Sequence, residues 1–190
     1  MVGLSARRAV LCSQNGHKLE ELRRILPHWS IELLGAGDFP AEDGGSYEEN
    51  ARGKARFGRA AGVGEALAIG EDSGIEVAAL GGAPGIESAR WAADGVERLL
   101  TELEGASDRR ARYVCTMVGI APDGSETVAQ GILAGRIAPA RSGSEGFGYD
   151  PIFLPGGEDR TVAELGDAWK AEHSHRARAA RALDAALRET

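Results

Sequence analysis

The sequence has few cysteines, no excess of basic residues and no long apolar run, and each shortage removes a class of protein. Cys12 and Cys115 lie in separate apolar runs without a CxxC or metal-ligand spacing, so we expect buried thiols in a reducing compartment. The 29 acidic residues exceed the 22 basic ones, and the formal charge of -7 is opposite to that of a general nucleic-acid-binding surface. No apolar segment reaches the length of a membrane span, and Met1 to Arg8 is not followed by the apolar region of a signal peptide. These absences predict a soluble cytoplasmic protein that binds neither nucleic acid nor membranes.

Strand-like and helical patterns alternate along the 190 residues, and no repeat or low-complexity segment interrupts them. The predicted strands are 8–12, 31–34, 66–69, 112–118 and 126–133, the last two forming a hairpin. The predicted helices are 18–26, ended by Pro27, and those that follow the cap residues Ser46, Asp94, Thr161 and Ser174, while 35–45 is predicted to be a loop. This alternation predicts one α/β domain, residues 1–190, with a mixed sheet.

The stretch from Ile69 to Trp91 organises the rest of the chain. Glu71 and Asp72 follow an apolar run and are predicted to lie where that strand ends, in a position to hold a hard cation. Ser73 and Gly74 are then expected to turn the chain tightly and to bring backbone N–H groups towards an anionic ligand. The alternative is an ordinary strand and turn with solvated acids.

The loop after the first strand combines polar residues, a glycine and a lysine before a predicted helix. It runs Ser13-Gln14-Asn15-Gly16-His17-Lys18. First-turn N–H groups and the helix dipole favour an anion at such a place, and Lys18 would add a point charge. The sequence is not a Walker A motif, so this loop alone indicates only a possible phosphate site.

Three further segments carry candidate site residues. Glu49 either caps the helix after Ser46 or contributes to a metal or phosphate site, and Asn50 and Lys54 share one face of that helix. The segment 146–151 cannot form a regular helix, and its two aromatic rings could stack on a planar base or simply anchor a turn in the core. His175 and Arg176 fall in the first turn of the last helix, where a cation opposes the helix dipole, which indicates either a nearby anion or an ordinary exposed side chain.

Taken together, six motifs occur in the order seen in the inosine triphosphate pyrophosphatases, the noncanonical purine triphosphate pyrophosphatases also called Ham1-like or RdgB-like proteins. The sequence resembles this family along essentially its whole length. The motifs are Ser13 to Lys18, Glu49-Asn50-Ala51, Glu71-Asp72-Ser73-Gly74, 81–85 with Ser88-Ala89-Arg90, Phe147-Gly148-Tyr149-Asp150-Pro151, and Lys170 with Ser174-His175-Arg176.

The resemblance implies an elongated two-lobed α/β fold with a central mixed sheet flanked by helices and a nucleotide cleft between the lobes. It also implies a homodimer and Mg2+-dependent release of pyrophosphate from ITP, dITP and XTP. By position, Asp72 would be the general base, and Asp72 and Glu49 would contact the metal. The residues implied to bind substrate are Ser13, Gln14, Asn15, Gly16, His17, Lys18, Ser73, Phe147, Gly148, Tyr149, Asp150, Lys170, His175 and Arg176.

The chain departs from the family pattern at three places. Glu71 stands where the motif usually has Asp, Trp169 stands where a polar residue is usual, and the segment 92–105 is shorter than in typical members. Two other functions stay open: a Maf-like pyrophosphatase acting on modified pyrimidine nucleotides, and a nucleotide-binding regulatory module without catalysis. The combination of Asp72, Glu49 and Lys18 speaks against the second, because a protein that only binds needs no base beside a metal site.

Overall fold

A computed structural model describes residues 6–35 and 37–189. The first five residues, which belong to the stretch considered for a signal peptide, lie outside the described residues. So do Ala36, within the predicted loop, and Thr190.

Within the described ranges the chain forms six strands and five α-helices. The strands are β1 (Arg7–Leu11), β2 (Trp29–Leu33), β3 (Leu67–Val77), β4 (Arg110–Ile120), β5 (Glu126–Ile137) and β6 (Phe153–Pro155), and the helices are α1 (Gly16–Ile25), α2 (Tyr47–Ala60), α3 (Gly95–Glu102), α4 (Val162–His173) and α5 (His175–Glu189). The strands form one sheet in the order β2-β1-β3-β4-β5-β6. Strand β1 is parallel to both β2 and β3, and β5 is antiparallel to β6, so the predicted mixed sheet is confirmed.

The chain divides into two compact units. The first contains the described residues up to Asp72, Thr116–Gln130 and the residues from Ala179 onward, and the second contains Ser73–Cys115 and Gly131–Arg178. Each unit has its own apolar core. The first core is built from Cys12, Ala51, Ala55, Ala68, Val118 and Ile120, and the second includes Ile75, Val77, Leu99, Leu133, Ile152 and Phe153.

Helix α2 packs unusually closely on the strands of the first unit. A Cβ atom at Gly70 of β3 would come within 1.8 Å of the carbonyl oxygen of Ala51, and one at Gly58 would come within 2.0 Å of the Cys12 sulfur. Only glycine permits these approaches. The polar residues on the same helix, Asn50 and Lys54, are therefore held against β3.

The prediction that a strand ends at Asp72 is wrong. Strand β3 continues to Val77, so Glu71 and Asp72 lie in its middle and Ser73-Gly74 forms no tight turn. The reason is that apolar residues resume after Gly74. Ile75 and Val77 are fully buried in the core of the second unit, and their burial with sheet pairing outweighs the local turn preference of Ser-Gly.

The predicted helix caps are confirmed. The Ser46 side chain accepts a hydrogen bond from Glu49 N, and the Asp94 side chain accepts one from Glu97 N. Thr161 and Glu164 form a complete capping box at the start of α4. The sequence did not reveal that Gly166 interrupts α4 with a φ of 83°. These caps succeed because they depend on residues only three positions apart.

Both cysteines are free and buried, as predicted. Burial raises the pKa of the Cys12 thiol to about 11, which keeps it protonated and unreactive at neutral pH. Among the described residues, we find no helix whose length and apolar character would let it cross a membrane.

Candidate functional site

Parallel pairing of β1 with β3 brings the first loop alongside the acidic residues of β3. Leu11 pairs with Ile69, and Cys12 N donates a hydrogen bond to the carbonyl oxygen of Ile69 at 2.7 Å. The loop after β1 thus leaves the sheet next to Glu71. The Asn15 side chain then caps α1 by accepting hydrogen bonds from His17 N at 3.0 Å and Lys18 N at 3.3 Å.

Lys18 forms a buried ion pair with Glu71. The distance from Lys18 Nζ to Glu71 Oε2 is 2.6 Å, and the two side chains are 14% and 0% exposed. The predicted phosphate-binding cation is therefore neutralised by the carboxylate of the central motif in this structure. Three other members of the loop are exposed, namely Gln14, Gly16 and His17, whereas Ser13 and Asn15 are half-buried.

Asp72 is held from both sides by residues of α2. The amide nitrogen Nδ2 of Asn50 donates to Asp72 Oδ2 at 3.0 Å, while Asn50 Oδ1 accepts from Gly44 N at 2.9 Å. The Lys54 ammonium donates to Asp72 Oδ1 at 3.3 Å and to the carbonyl oxygen of Glu71 at 3.0 Å. Asn50, Lys54 and Asp72 are all buried. The catalytic candidate is thus a carboxylate fixed in position by two donors.

The electrostatics of this cluster suit a proton acceptor. Burial raises the pKa of Asp72 above its ordinary value, and the charges of Glu42 and Glu71 add to the rise, whereas Lys54 and Asn50 act against it. Burial acts to lower the pKa of Lys54, but the neighbouring carboxylates, Asp72 first, outweigh burial and raise it. Asp72 is therefore a stronger base than an exposed aspartate, beside a lysine that stays charged.

Two glutamates near the start of α2 differ in what they contact. Glu49, the predicted metal contact, is exposed, and its Oε2 accepts a hydrogen bond from Gly45 N at 2.7 Å. This contact fits the capping alternative of the sequence analysis. Glu42, for which the sequence alone indicates no role, forms an ion pair with Lys54 and so joins the cluster around Asp72.

In the second unit, Asp150 is the centre of a buried polar network. Its Oδ2 accepts hydrogen bonds from Phe147 N at 2.8 Å and from the Lys170 ammonium at 2.6 Å, and its Oδ1 accepts one from the Tyr113 hydroxyl at 3.2 Å. Asp150 is 3% exposed and Lys170 is also 3% exposed. Asp150 therefore fixes the 146–150 turn from inside.

Phe147 and Arg176 connect this turn to helix α5 and strand β3. The Lys170 ammonium lies 4.6 Å, and the Arg176 guanidinium carbon 5.5 Å, from the centre of the half-buried Phe147 ring. Arg176 also donates to the Ser73 hydroxyl at 3.1 Å. The second unit thus brings together five predicted substrate-binding residues of separate motifs: Ser73, Phe147, Asp150, Lys170 and Arg176.

His175 and Tyr149 complete this part of the site. His175, at the start of α5, is buried and stacks on the ring of Tyr113, with ring centres 4.5 Å apart and planes inclined by 10°. The Tyr149 hydroxyl donates to the carbonyl oxygen of Ser88 at 3.0 Å, while Gly148 is exposed at the tip of the turn. The alternative that His175 and Arg176 are ordinary exposed side chains is wrong, because both are buried.

Comparison with known proteins decides the family. The model of the Ham1 family matches residues 9–186. The chain belongs to the Ham1 family.

Individual members of the Ham1 family match over nearly their full length. A dITP/XTP pyrophosphatase from Leifsonia xyli subsp. xyli is 43% identical over 192 residues, covering 95% of this chain and 96% of the relative. One from Symbiobacterium thermophilum is 44% identical, covering 95% of each chain. The solved structure of the Staphylococcus aureus Ham1 protein has a TM-score of 0.84 and 36% identity, covering 96% of this chain and 99% of that chain. The resemblance noted from the motifs is confirmed.

Packing accommodates two of the places where the sequence analysis of this Ham1-family chain noted a departure from the family pattern. Trp169 packs against the apolar core of the second unit and lies 5.0 Å from the His173 ring, which explains an apolar residue beside Lys170. In the short segment 92–105, α3 starts at Gly95, where a Cβ atom would come within 2.5 Å of the Tyr149 hydroxyl.

Three residues near the predicted site of this Ham1-family chain had no role predicted from the sequence: Glu42, Lys54 and Tyr113. Only Lys54 had a signal, since it shares a helix face with Asn50 at i,i+4 spacing. Glu42 and Tyr113 had none, because their contacts join segments distant in sequence. Among the described residues, no group of three or more His, Cys, Asp or Glu side chains is arranged to hold a metal ion.

Proposed function

We propose that this protein hydrolyses noncanonical purine nucleoside triphosphates, dITP, XTP and ITP, to the monophosphate and pyrophosphate with Mg2+ as cofactor. Membership of the Ham1 family and the dITP/XTP pyrophosphatase activity named for its relatives support the reaction class. The observation that carries the proposal is the buried Asp72 carboxylate, oriented by Asn50 and Lys54.

Asp72 is proposed to be the general base. A water molecule attacks the α-phosphorus of the nucleotide, and one of its protons passes to Asp72. The bond from that phosphorus to the departing pyrophosphate breaks, and the monophosphate keeps the water oxygen. The raised pKa strengthens Asp72 as a base, while the charge of Lys54 acts against that rise. Asn50 fixes its orientation through a hydrogen bond to the other oxygen.

The charged side chains around Asp72 in the first unit carry a net negative charge, which fits a bound cation. Three carboxylates, Glu42, Glu71 and Asp72, are neighbours of two ammonium groups, Lys18 and Lys54, which leaves one negative charge in excess. Within 6–35 and 37–189, no group of carboxylates is arranged to hold a metal ion by itself, and Mg2+ commonly takes one or two carboxylates together with substrate phosphates.

We therefore propose Asp72 as a metal contact, with Glu42 as the second carboxylate suggested by the geometry. Glu49, the contact implied by the family motif, stays a prediction. When bound, Mg2+ would neutralise charge on the phosphate oxygens and so make the phosphorus atom easier for water to attack.

The remaining cations and the first loop are proposed to bind phosphate and sugar. Lys18 and the loop residues 13–17 would receive phosphate at the start of α1. Lys18 is held by Glu71 in this structure, so binding an anion would require it to share its charge with that carboxylate or exchange partners. Arg176 would stabilise negative charge that develops on the phosphates, and Ser73, which it contacts, is proposed to touch substrate as well.

The 146–150 turn and His175 are proposed to recognise the base. Phe147, half-buried with two cations near its ring, offers a face on which a base can stack. Hypoxanthine and xanthine carry a carbonyl oxygen at C6, where adenine carries an amino group. N–H donors of His175 or of the 147–150 backbone would therefore favour hypoxanthine and xanthine over adenine. A site that leaves its donors unpaired against the wrong base can discriminate by about 10⁴-fold.

The test is pyrophosphate release from a panel of triphosphates with and without Mg2+. We expect kcat/KM highest for ITP, dITP and XTP, lower for GTP, and lowest for ATP and the pyrimidine triphosphates. Comparable values for ATP and ITP would contradict the base filter. Preference for modified UTP would support the Maf-like alternative, and binding without hydrolysis of any substrate would support the regulatory module.

The domain organisation, oligomeric state and location also belong to this proposal. The family model spans almost the whole chain, which supports one functional domain of 1–190. We also propose a homodimer, as the family resemblance implies, and a cytoplasmic location, as the sequence composition predicts. The substrate would be a small-molecule nucleotide, without nucleic-acid or membrane partners.

A further inference from the structure

Tyr113 of β4 contacts two separate parts of the proposed base-recognition site. Its hydroxyl donates to Asp150 Oδ1 at 3.2 Å, and its ring lies parallel to the His175 ring with centres 4.5 Å apart. The same ring packs on Phe153 with centres 4.5 Å apart and planes inclined by 47°. Tyr113 is 6% exposed, so it acts from inside the second unit.

The hydroxyl contact matters because Asp150 holds the base-recognition turn. One carboxylate oxygen, Oδ2, already serves Phe147 N and the Lys170 ammonium. The Tyr113 hydroxyl donates to the other oxygen and so fixes the rotation of the carboxylate group. Without that donor, the buried Oδ1 atom would lose a partner, and the orientation of Oδ2 towards Phe147 and Lys170 would be less restrained.

The ring contact orients His175, the second part of the proposed base-recognition site. His175 is the first residue of α5, and stacking on a buried tyrosine sets the plane of its imidazole. A single side chain therefore contacts both the ring of the proposed donor His175 and the carboxylate of Asp150, and helps to orient each.

A purely apolar packing role does not account for these contacts. Phenylalanine would fill the same volume beside Phe153, and a buried hydroxyl costs free energy unless it is hydrogen-bonded. Here its partner is a charged carboxylate, which makes a stronger hydrogen bond than a neutral acceptor.

We propose that Tyr113 is a positioning residue that sets the selectivity of the base site for hypoxanthine over adenine. This inference rests on the proposed function. The contacts of Tyr113 are with Asp150, His175 and Phe153 and not with Asp72, so we expect it to affect which base is accepted and not the hydrolytic step.

The test compares Tyr113→Phe with the unaltered protein by calorimetric binding of IMP and AMP and by kcat/KM for dITP and dATP. We expect the preference for IMP over AMP, and for dITP over dATP, to fall roughly tenfold, as for loss of one hydrogen bond to a charged group. The change should appear in KM, with kcat for dITP nearly unchanged. Tyr47→Phe, which removes a tyrosine hydroxyl in the first unit, is the matched control and should keep both preferences.

A double variant separates this role from general loosening of the fold. If the hydroxyl acts through Asp150, adding Tyr113→Phe to Asp150→Asn should lower the IMP preference no further, whereas a full additional tenfold loss would overturn the proposal. An unchanged preference in Tyr113→Phe would also overturn it. If the unaltered protein shows no preference for IMP over AMP, the proposed base recognition itself fails, which is a different result from a preference that Tyr113→Phe leaves intact.

Discussion

Replacing Asp72 with asparagine tests the chemistry with little change of shape. Asparagine has the same outline but cannot accept a proton from water at neutral pH. Its single carbonyl oxygen can satisfy either Asn50 or Lys54, which now donate to two different carboxylate oxygens. Lys54 retains the carbonyl oxygen of Glu71 and the carboxylate of Glu42, so the cluster keeps most of its contacts.

The expected loss of rate is large and the expected loss of stability is small. Removal of a general base costs about 10² to 10⁴ in kcat, or about 3–5 kcal/mol in activation free energy, and more if a metal contact is lost with it.

The stability effect follows from the pKa of Asp72, which is raised in the folded protein. The contribution of such a group to stability is present below its unfolded-state pKa and is lost as pH rises through the folded-state pKa. At neutral pH the charge at position 72 therefore costs stability, and the neutral Asn variant should melt no lower than the unaltered protein.

The assay is pyrophosphate release from dITP at saturating Mg2+, paired with a thermal melt. Asp123→Asn is the control, because Asp123 caps an exposed turn at Ser125 and should leave turnover unchanged. Near-normal turnover in a folded Asp72→Asn protein would remove Asp72 from the mechanism. A large fall in melting temperature would instead show that the carboxylate is mainly structural.

Two further predictions concern the lysines of the cluster. Lys54→Met should move the acid limb of the kcat/KM profile to higher pH, because the Lys54 charge opposes the burial that raises the pKa of Asp72; an unmoved or lower limb would contradict this assignment. Lys18→Ala should destabilise the fold by about 3 kcal/mol in denaturant titrations, because Glu71 would be left as a buried charge without its ammonium partner. Adding Glu71→Gln should recover part of that loss, and unchanged stability of Lys18→Ala would indicate that the ion pair is unimportant.

Local signals in the sequence were sufficient for much of the fold. Ser46, Asp94 and the Thr161 capping box were read correctly because cap and helix are within a few residues of each other. The tight turn predicted at Ser73-Gly74 was wrong because that prediction also used only local sequence. Its turn preference is local, whereas the extension of β3 depends on neighbouring strands and on the burial of Ile75.

The candidate site could be assembled from the sequence only in part. Family motifs pointed to Asp72 and to both members of the Lys170–Asp150 pair, but not to Lys54 and Glu42 beside Asp72. The Lys18–Glu71 pair depends on β1 lying beside β3, and strand order is not encoded in either segment alone. The burial of Arg176, which is 2% exposed, likewise depends on packing between distant segments and could not be predicted from the first turn of the last helix alone.

The continuity of β3 through Glu71 and Asp72 also affects how the protein loses activity. The strand lies inside the sheet, between β1 and β4, and not at an edge or in a loop. Backbone amides in such a strand exchange with solvent only through large openings, whereas loop residues exchange through local fluctuations. Displacing the backbone that carries Asp72 therefore requires disruption of the central sheet, so its position should persist until the cooperative unfolding that removes the native structure as a whole.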